Sequence, residues 1–151
     1  MAINIRTATS DDIMSLVDCR EDFIFEVSGQ PLPNHIKESM STYIKENIDT
    51  DSFVCYIATD DEKIIAMVML CTYHIVPKLN NSTGKVGYVQ NVYTLKEYRG
   101  QGLAKELMNR LIETAKNIGV NEILLNAEEK AVPLYQSLGF QLIDREMMLR
   151  F

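Results

Sequence analysis

Apolar and polar residues alternate at the start of the chain, where Asn4 separates Ile3 from Ile5, so residues 2–7 read as a strand. The period then lengthens. Thr9 or Ser10 is placed to cap a helix, and Asp11 and Asp12 put negative charge in its first turn. Ile13, Leu16, Val17, Phe23 and Ile24 form one helical stripe that runs to about residue 25. Residues 28–33 have the composition of a loop. Asn34 is placed to cap a second helix over residues 35–48, with Ile36, Met40, Tyr43, Ile44 and Ile48 on its apolar side. Residues 53–59 and 64–75 read as the two strands of a hairpin, and residues 77–84 as a polar loop. A further strand is expected over residues 86–94. Leu103, Leu107, Leu111 and Ala115, with Met108 and Ile112 beside them, give an amphipathic helix over residues 103–118 that Gly119 ends. Then come a strand at 122–126, a short helix at 130–138, and a last strand pair at 140–143 and 147–151.

This order predicts a single α/β domain over residues 1–151, with one mixed sheet flanked by helices. A length of 151 residues is enough to bury a real core. The apolar share of 46% and charged share of 24% are those of an ordinary globular protein. The apolar run at 64–70 is too short to span a bilayer, and the first residues lack the pattern of a signal peptide, so no membrane partner is expected. Three widely spaced cysteines, at 19, 55 and 71, suit a reduced cytoplasm and neither a disulfide frame nor a zinc site. His35 and His74 lack metal spacing, so no metal is expected. A net charge of −6 argues against nucleic acid as a partner and makes any local basic site more telling.

Such a site is Tyr98-Arg99-Gly100-Gln101-Gly102-Leu103-Ala104, between the strand at 86–94 and the helix at 103–118. A helix N-terminus has backbone N–H groups without internal partners and carries the positive end of the dipole. Glycines at 100 and 102 let an anion come close, and Arg99 adds a full positive charge. The alternative is a turn whose glycines only close a tight bend. A Walker loop is excluded, because Leu79 and Val86 flank Gly84-Lys85 where glycine and a hydroxyl are required. A dinucleotide fingerprint fails at Lys105, which holds its third glycine position.

Arg99-x-x-Gly102-x-Ala104 resembles the Gln/Arg-x-x-Gly-x-Gly/Ala signature of the GNAT superfamily of N-acetyltransferases. The resemblance takes in Asn91 to Thr94 upstream and, downstream, Ala131-Val132-Pro133-Leu134-Tyr135-Gln136-Ser137-Leu138-Gly139-Phe140, which looks like the family's second motif. It implies a mainly antiparallel central sheet with splayed strands, and acetyl-coenzyme A as cosubstrate in the gap. It places pyrophosphate on the backbone of Gly100, Gln101, Gly102, Leu103, Ala104 and Lys105, beside Arg99. It places the pantetheine arm along Val92, Tyr93 and Thr94, whose edge can bond a chain of amides as it would a strand.

The resemblance also implies that Tyr135 protonates the leaving thiolate; a tyrosine hydroxyl titrates near about 10 and is neutral at working pH. Glu128 stands where many members have asparagine, and Asn126 is the substitute expected to contact the cofactor. Tyr88 stands at about the place of a strand glutamate that serves some members as base. The base is then Glu26, at the end of the first helix, or ordered water, or none. The implied activity is acetyl transfer to a primary amine by direct attack. The alternative is a non-catalytic acyl-CoA-binding regulatory domain. The acceptor is a small-molecule or peptide amine, its walls drawn from residues 23–34 and the loop after Ile75, and the protein is a monomer or homodimer.

Overall fold

A computed structural model gives the fold and describes residues 2–151. The elements follow the hydrophobic pattern closely: β1 Ile3–Thr7, α1 Ile13–Ser28, α2 Asn34–Asn47, β2 Phe53–Asp60, β3 Lys63–His74, β4 Lys85–Thr94, α3 Leu103–Asn117, β5 Glu122–Leu125 and α4 Val132–Ser137. They build one sheet in the order β1-β2-β3-β4-β5. The first three pairings are antiparallel and β4–β5 is parallel, with α3 as the crossover that a parallel pair requires. Among the described residues no helix is long and apolar enough to cross a membrane.

Both faces of the sheet are covered, which is why β3 is a continuous apolar run and not an alternating one. Ala66, Val68 and Leu70 pack under Leu107, Met108 and Leu111 of α3. Met67 and Met69 face the other way, onto Leu16 and Val17 of α1 and Ile44 of α2. Two bulges shape the centre. At the first, Ala58 pairs Ala66 and Thr59 pairs Ile64, so Ile65 is an extra residue and turns to the α3 side. At the second, Met67 pairs Tyr93 and Met69 pairs Gln90, so Asn91 and Val92 both stand against Val68. Asn91 takes φ +59°, a left-handed conformation that asparagine tolerates better than most residues.

The second bulge positions the site. Parallel pairing of β4 with β5 runs from Val86–Glu122 to Val89–Leu125 and stops there. A bulge bends its strand, so beyond Val89 the two strands part and one edge of β4 is left free.

The last strand pair does not form. After Phe140 the chain is irregular to its end, and Leu142, Met147, Met148, Leu149 and Phe151 are exposed. Apolar spacing marks where a strand could form, but a strand exists only with a backbone partner, and these residues meet none in the described chain. Asn34 also differs from its expected place: it lies inside α2, and Pro33 is the residue before the first turn.

The entry to α1 is fixed electrostatically. Asp12 accepts from Arg6 Nη1 at 2.7 Å and Nη2 at 2.9 Å, and from the backbone N–H of Thr9 at 2.7 Å. The Arg6 hydrogen bonds, ahead of any opposing effect of burial, hold the Asp12 carboxyl below the usual carboxylate range. A carboxyl depressed on folding stabilises the fold above its unfolded pKa, and that contribution is lost as pH falls through the folded value. We expect wild type to lose more stability than Asp12→Asn between about pH 6 and pH 3, a window that brackets the carboxylate range. Urea unfolding of both proteins at the two pH values measures the difference, and parallel losses would remove Asp12 from the account.

Candidate active site

The gap between β4 and β5 opens into a cavity of about 830 Å³. One wall is the free edge of β4 at Val92, Tyr93 and Thr94. The floor is the turn from Tyr98 to Gly102 and the first residues of α3, Leu103, Ala104 and Lys105. The far wall is Glu128 with Ala131, Leu134 and Tyr135 around α4, and α1 closes the top with Phe23, Glu26 and Val27.

The turn is held at both ends. The Leu95 N–H donates to Ile65 O at 2.8 Å, which carries the β3–β4 register one residue past Thr94. The Tyr98 hydroxyl donates to Asp60 Oδ2 at 2.6 Å, tying the single 3-10 turn Lys96–Tyr98 to the end of β2. Arg99 then donates from Nε to Thr94 O at 2.8 Å. Its Nη2 reaches both oxygens of Glu26 at 2.8 Å, and its guanidinium lies 5.7 Å from the centre of the Tyr93 ring. The Glu26 hydrogen bond raises the Arg99 pKa further, so this cation is permanent. Tyr93 also meets Phe23 edge to face at 5.6 Å, which links β4 to α1 across the cavity roof.

The glycine turn ends in a helix start whose first N–H groups are free. The first bond of α-helical register runs from Glu106 N to Gly102 O at 3.1 Å, so the N–H groups of Leu103, Ala104 and Lys105 precede it and have no helical acceptor. Gly102 takes φ +79°. A Cβ on Gly100 or Gly102 would meet no protein atom within 4 Å and would stand in open space at the cavity. Free donors, a clear approach and Arg99 beside them fit a pyrophosphate. The free β4 edge leading away from that point fits a chain of amides.

Tyr135 brings a phenol hydroxyl to the far wall. It is 8% exposed, with its ring edge to face on Phe140 at 6.0 Å. Burial first, and then the charge of Glu128, pushes its hydroxyl pKa above the ordinary value, so it stays protonated. Among the described residues that hydroxyl has no hydrogen-bond partner, although the residue lines the cavity.

The fold thus gathers Val92, Tyr93, Thr94, Arg99, Gly100, Gly102, Leu103, Ala104, Lys105, Glu26 and Tyr135 around one space. Gln101 and Asn126 are exposed and do not line it. Glu128 lines the wall where the asparagine was expected, and the loop after Ile75 contributes nothing to it. Tyr98, Ala131 and Leu134 are wall residues from within the two motifs and Val27 is one from the stretch expected to wall the acceptor, while Lys130 was not singled out in the sequence.

A model of the acetyltransferase (GNAT) family matches residues 19–140, and the chain belongs to that family. A predicted acetyltransferase from Clostridium acetobutylicum, crystallised with acetyl-coenzyme A, superposes with a TM-score of 0.91 at 30% identity, over 99% of this chain and 96% of that one. Glucosamine 6-phosphate N-acetyltransferase from Trypanosoma brucei brucei is 36% identical over 75 residues, which is 50% of this chain and 51% of that protein. N-alpha-acetyltransferase 30 from Schizosaccharomyces pombe is 34% identical over 88 residues, 56% of this chain and 55% of that protein. The matches span about half the length of these two relatives.

Proposed function

We propose that this protein moves the acetyl group of acetyl-coenzyme A to a primary amine by direct attack. The observation that carries the proposal is the cavity itself: a free strand edge, an anion cradle at a helix start and a buried, protonated tyrosine face one space. In this reading Arg99 and the N–H groups of Leu103 to Lys105 hold the pyrophosphate. Backbone groups of Val92 to Thr94 orient the pantetheine arm, and a strand N–H near Tyr93 offsets the negative charge that gathers on the thioester carbonyl oxygen. The neutral amine forms a C–N bond to the carbonyl carbon as the C–S bond breaks. Tyr135 gives its proton to the departing sulfur, and the proton shed by the amine restores it through solvent. No covalent bond to the protein is formed.

Serving a phosphate would draw Arg99 from Glu26 and leave that carboxylate free at the cavity roof to take the amine proton. Glu26→Gln is then expected to depress the acid limb of the pH–rate profile without weakening acetyl-coenzyme A. An unaltered profile would confine Glu26 to holding Arg99. That ion pair also supports the second reading, a non-catalytic acyl-CoA-binding regulatory domain, because it occupies the candidate base. The two relatives named above act on a sugar phosphate and on N-alpha groups, so the amine acceptor is the coarse statement common to them. Release of free thiol from acetyl-coenzyme A over a panel of amines tests the transfer directly.

A further inference from the structure

A second, smaller recess lies on the α1–α2 face of the sheet, and the proposed reaction leaves it unused. Its volume is about 240 Å³. That is room for about eight water-sized groups. Met40 and Ile44 of α2, Phe53 of β2 and Met69 of β3 make it apolar, and Ile36 and Tyr43 stand at its exposed rim. One charged side chain lines it, that of Arg20.

Arg20 is unusual in this chain. Its recorded hydrogen bond runs from Nη1 to Asn91 Oδ1 at 3.1 Å, and among the described residues no carboxylate forms an ion pair with it. A guanidinium has five N–H donors and cannot shed its charge in a protein. Burial opposes that charge, and no nearby carboxylate offsets it. In a protein of net charge −6, a half-buried cation left without a counter-ion marks a place for an anion that the chain does not supply.

The recess also adjoins the larger cavity. Arg20 and Phe23 are one helical turn apart on α1, and Phe23 lines the cavity. Arg20 bonds Asn91, the residue next to Val92, so its anchor lies about 4–7 Å along β4 from Val92 and Tyr93. Resting on acetyl transfer at Val92 and Tyr93, we propose that this recess is the acceptor subsite and that the acceptor is an apolar α-amino acid. Its carboxylate is held by Arg20, its side chain lies among Met40, Ile44, Phe53 and Met69, and its amine points to β4.

The test is binding, with turnover measured beside it. L-Leucine, L-methionine and L-phenylalanine, each with its neutral carboxamide, are titrated calorimetrically into protein loaded with coenzyme A. At least one acid is expected to bind about tenfold or more tightly than its amide, the size of one charged hydrogen bond. Arg20→Gln is expected to close that gap to within about twofold. Ser39→Phe, which fills the recess from α2, is expected to abolish binding of acid and amide alike while coenzyme A affinity is unchanged. Equal affinities in wild type, no binding by any acid, or a gap that survives in a folded Arg20→Gln would overturn the assignment. If Arg20→Gln does not fold, the wild-type comparison and Ser39→Phe decide it. Thiol release from acetyl-coenzyme A separates the two claims. Selective binding of an acid that is not acetylated, while other amines release thiol, overturns the acceptor assignment and keeps transfer; selective binding with no release by any amine keeps the carboxylate site and removes the transfer reading. Release that is equally fast with acids and amides removes the subsite and keeps transfer.

Discussion

Tyr135→Phe will lower turnover by about a hundred- to ten-thousand-fold, the contribution of a positioned general acid, while acetyl-coenzyme A still binds. The substitution is a clean one here. The ring is buried against Phe140 and Leu134, and phenylalanine keeps that packing. The hydroxyl makes no hydrogen bond among the described residues, so its loss leaves no protein donor or acceptor stranded and should not destabilise the fold. Cofactor affinity should weaken by no more than about one ordinary hydrogen bond, on the order of 1 kcal/mol. A departing thiolate with no proton donor is the only large loss. Burial and Glu128 both favour the neutral phenol, so the acid form should persist into the alkaline range, with no loss of the proton donor around neutral pH. Turnover and cofactor affinity must be measured on the same preparation. A fall of less than about threefold, well below the range for a general acid, would show that Tyr135 gives no proton.

Gly102→Val should abolish acetyl-coenzyme A binding in a protein that still folds. Two effects act together. At φ +79° a β-branched residue is strained by at least about 1–2 kcal/mol. Its side chain would also stand in the space over the α3 amides, where the phosphates are proposed to lie. Losing two charge-assisted hydrogen bonds of about 1.5–3 kcal/mol each removes roughly a hundredfold to more than ten-thousand-fold in affinity. Gly119→Val separates the effects, because Gly119 shares the left-handed backbone, at φ +88°, and lies beyond the other end of α3. It should cost comparable stability and leave cofactor affinity intact. Calorimetry giving unchanged affinity in folded Gly102→Val would move the pyrophosphate elsewhere.

The elements were legible because each hydrophobic period had one physical use. The stripe from Leu103 to Ala115 is buried in α3, and the unbroken run in β3 is covered on both faces. The glycine turn was legible because a helix start needs only neighbouring residues, whereas Tyr135 was singled out by its place in the second family motif and not by its own chemistry. What stayed hidden depends on partners distant in sequence. Asn91 looks like any residue of a strand at 86–94, yet its bulge against Val68 is what parts β4 from β5. The Arg99–Glu26 pair joins residues 73 positions apart, so nothing local announces it. Arg20 carries no signal in the sequence, and only the packing of α2 over the sheet makes it a cation inside a recess. Residues 140–151 failed in the opposite sense, having strand spacing without a strand to pair with.

The most direct test of acetyl transfer is amine-dependent release of coenzyme A thiol from acetyl-coenzyme A by the wild-type protein, with the N-acetylated product identified by mass. The panel should hold apolar α-amino acids, their amides, amino sugars and peptide N-termini. The structure-based account predicts release that requires an amine, equals the acetylated product in amount, and collapses in Tyr135→Phe. Acetyl-coenzyme A that binds tightly and stays intact with every amine would contradict it and leave a cofactor-binding regulatory domain in its place.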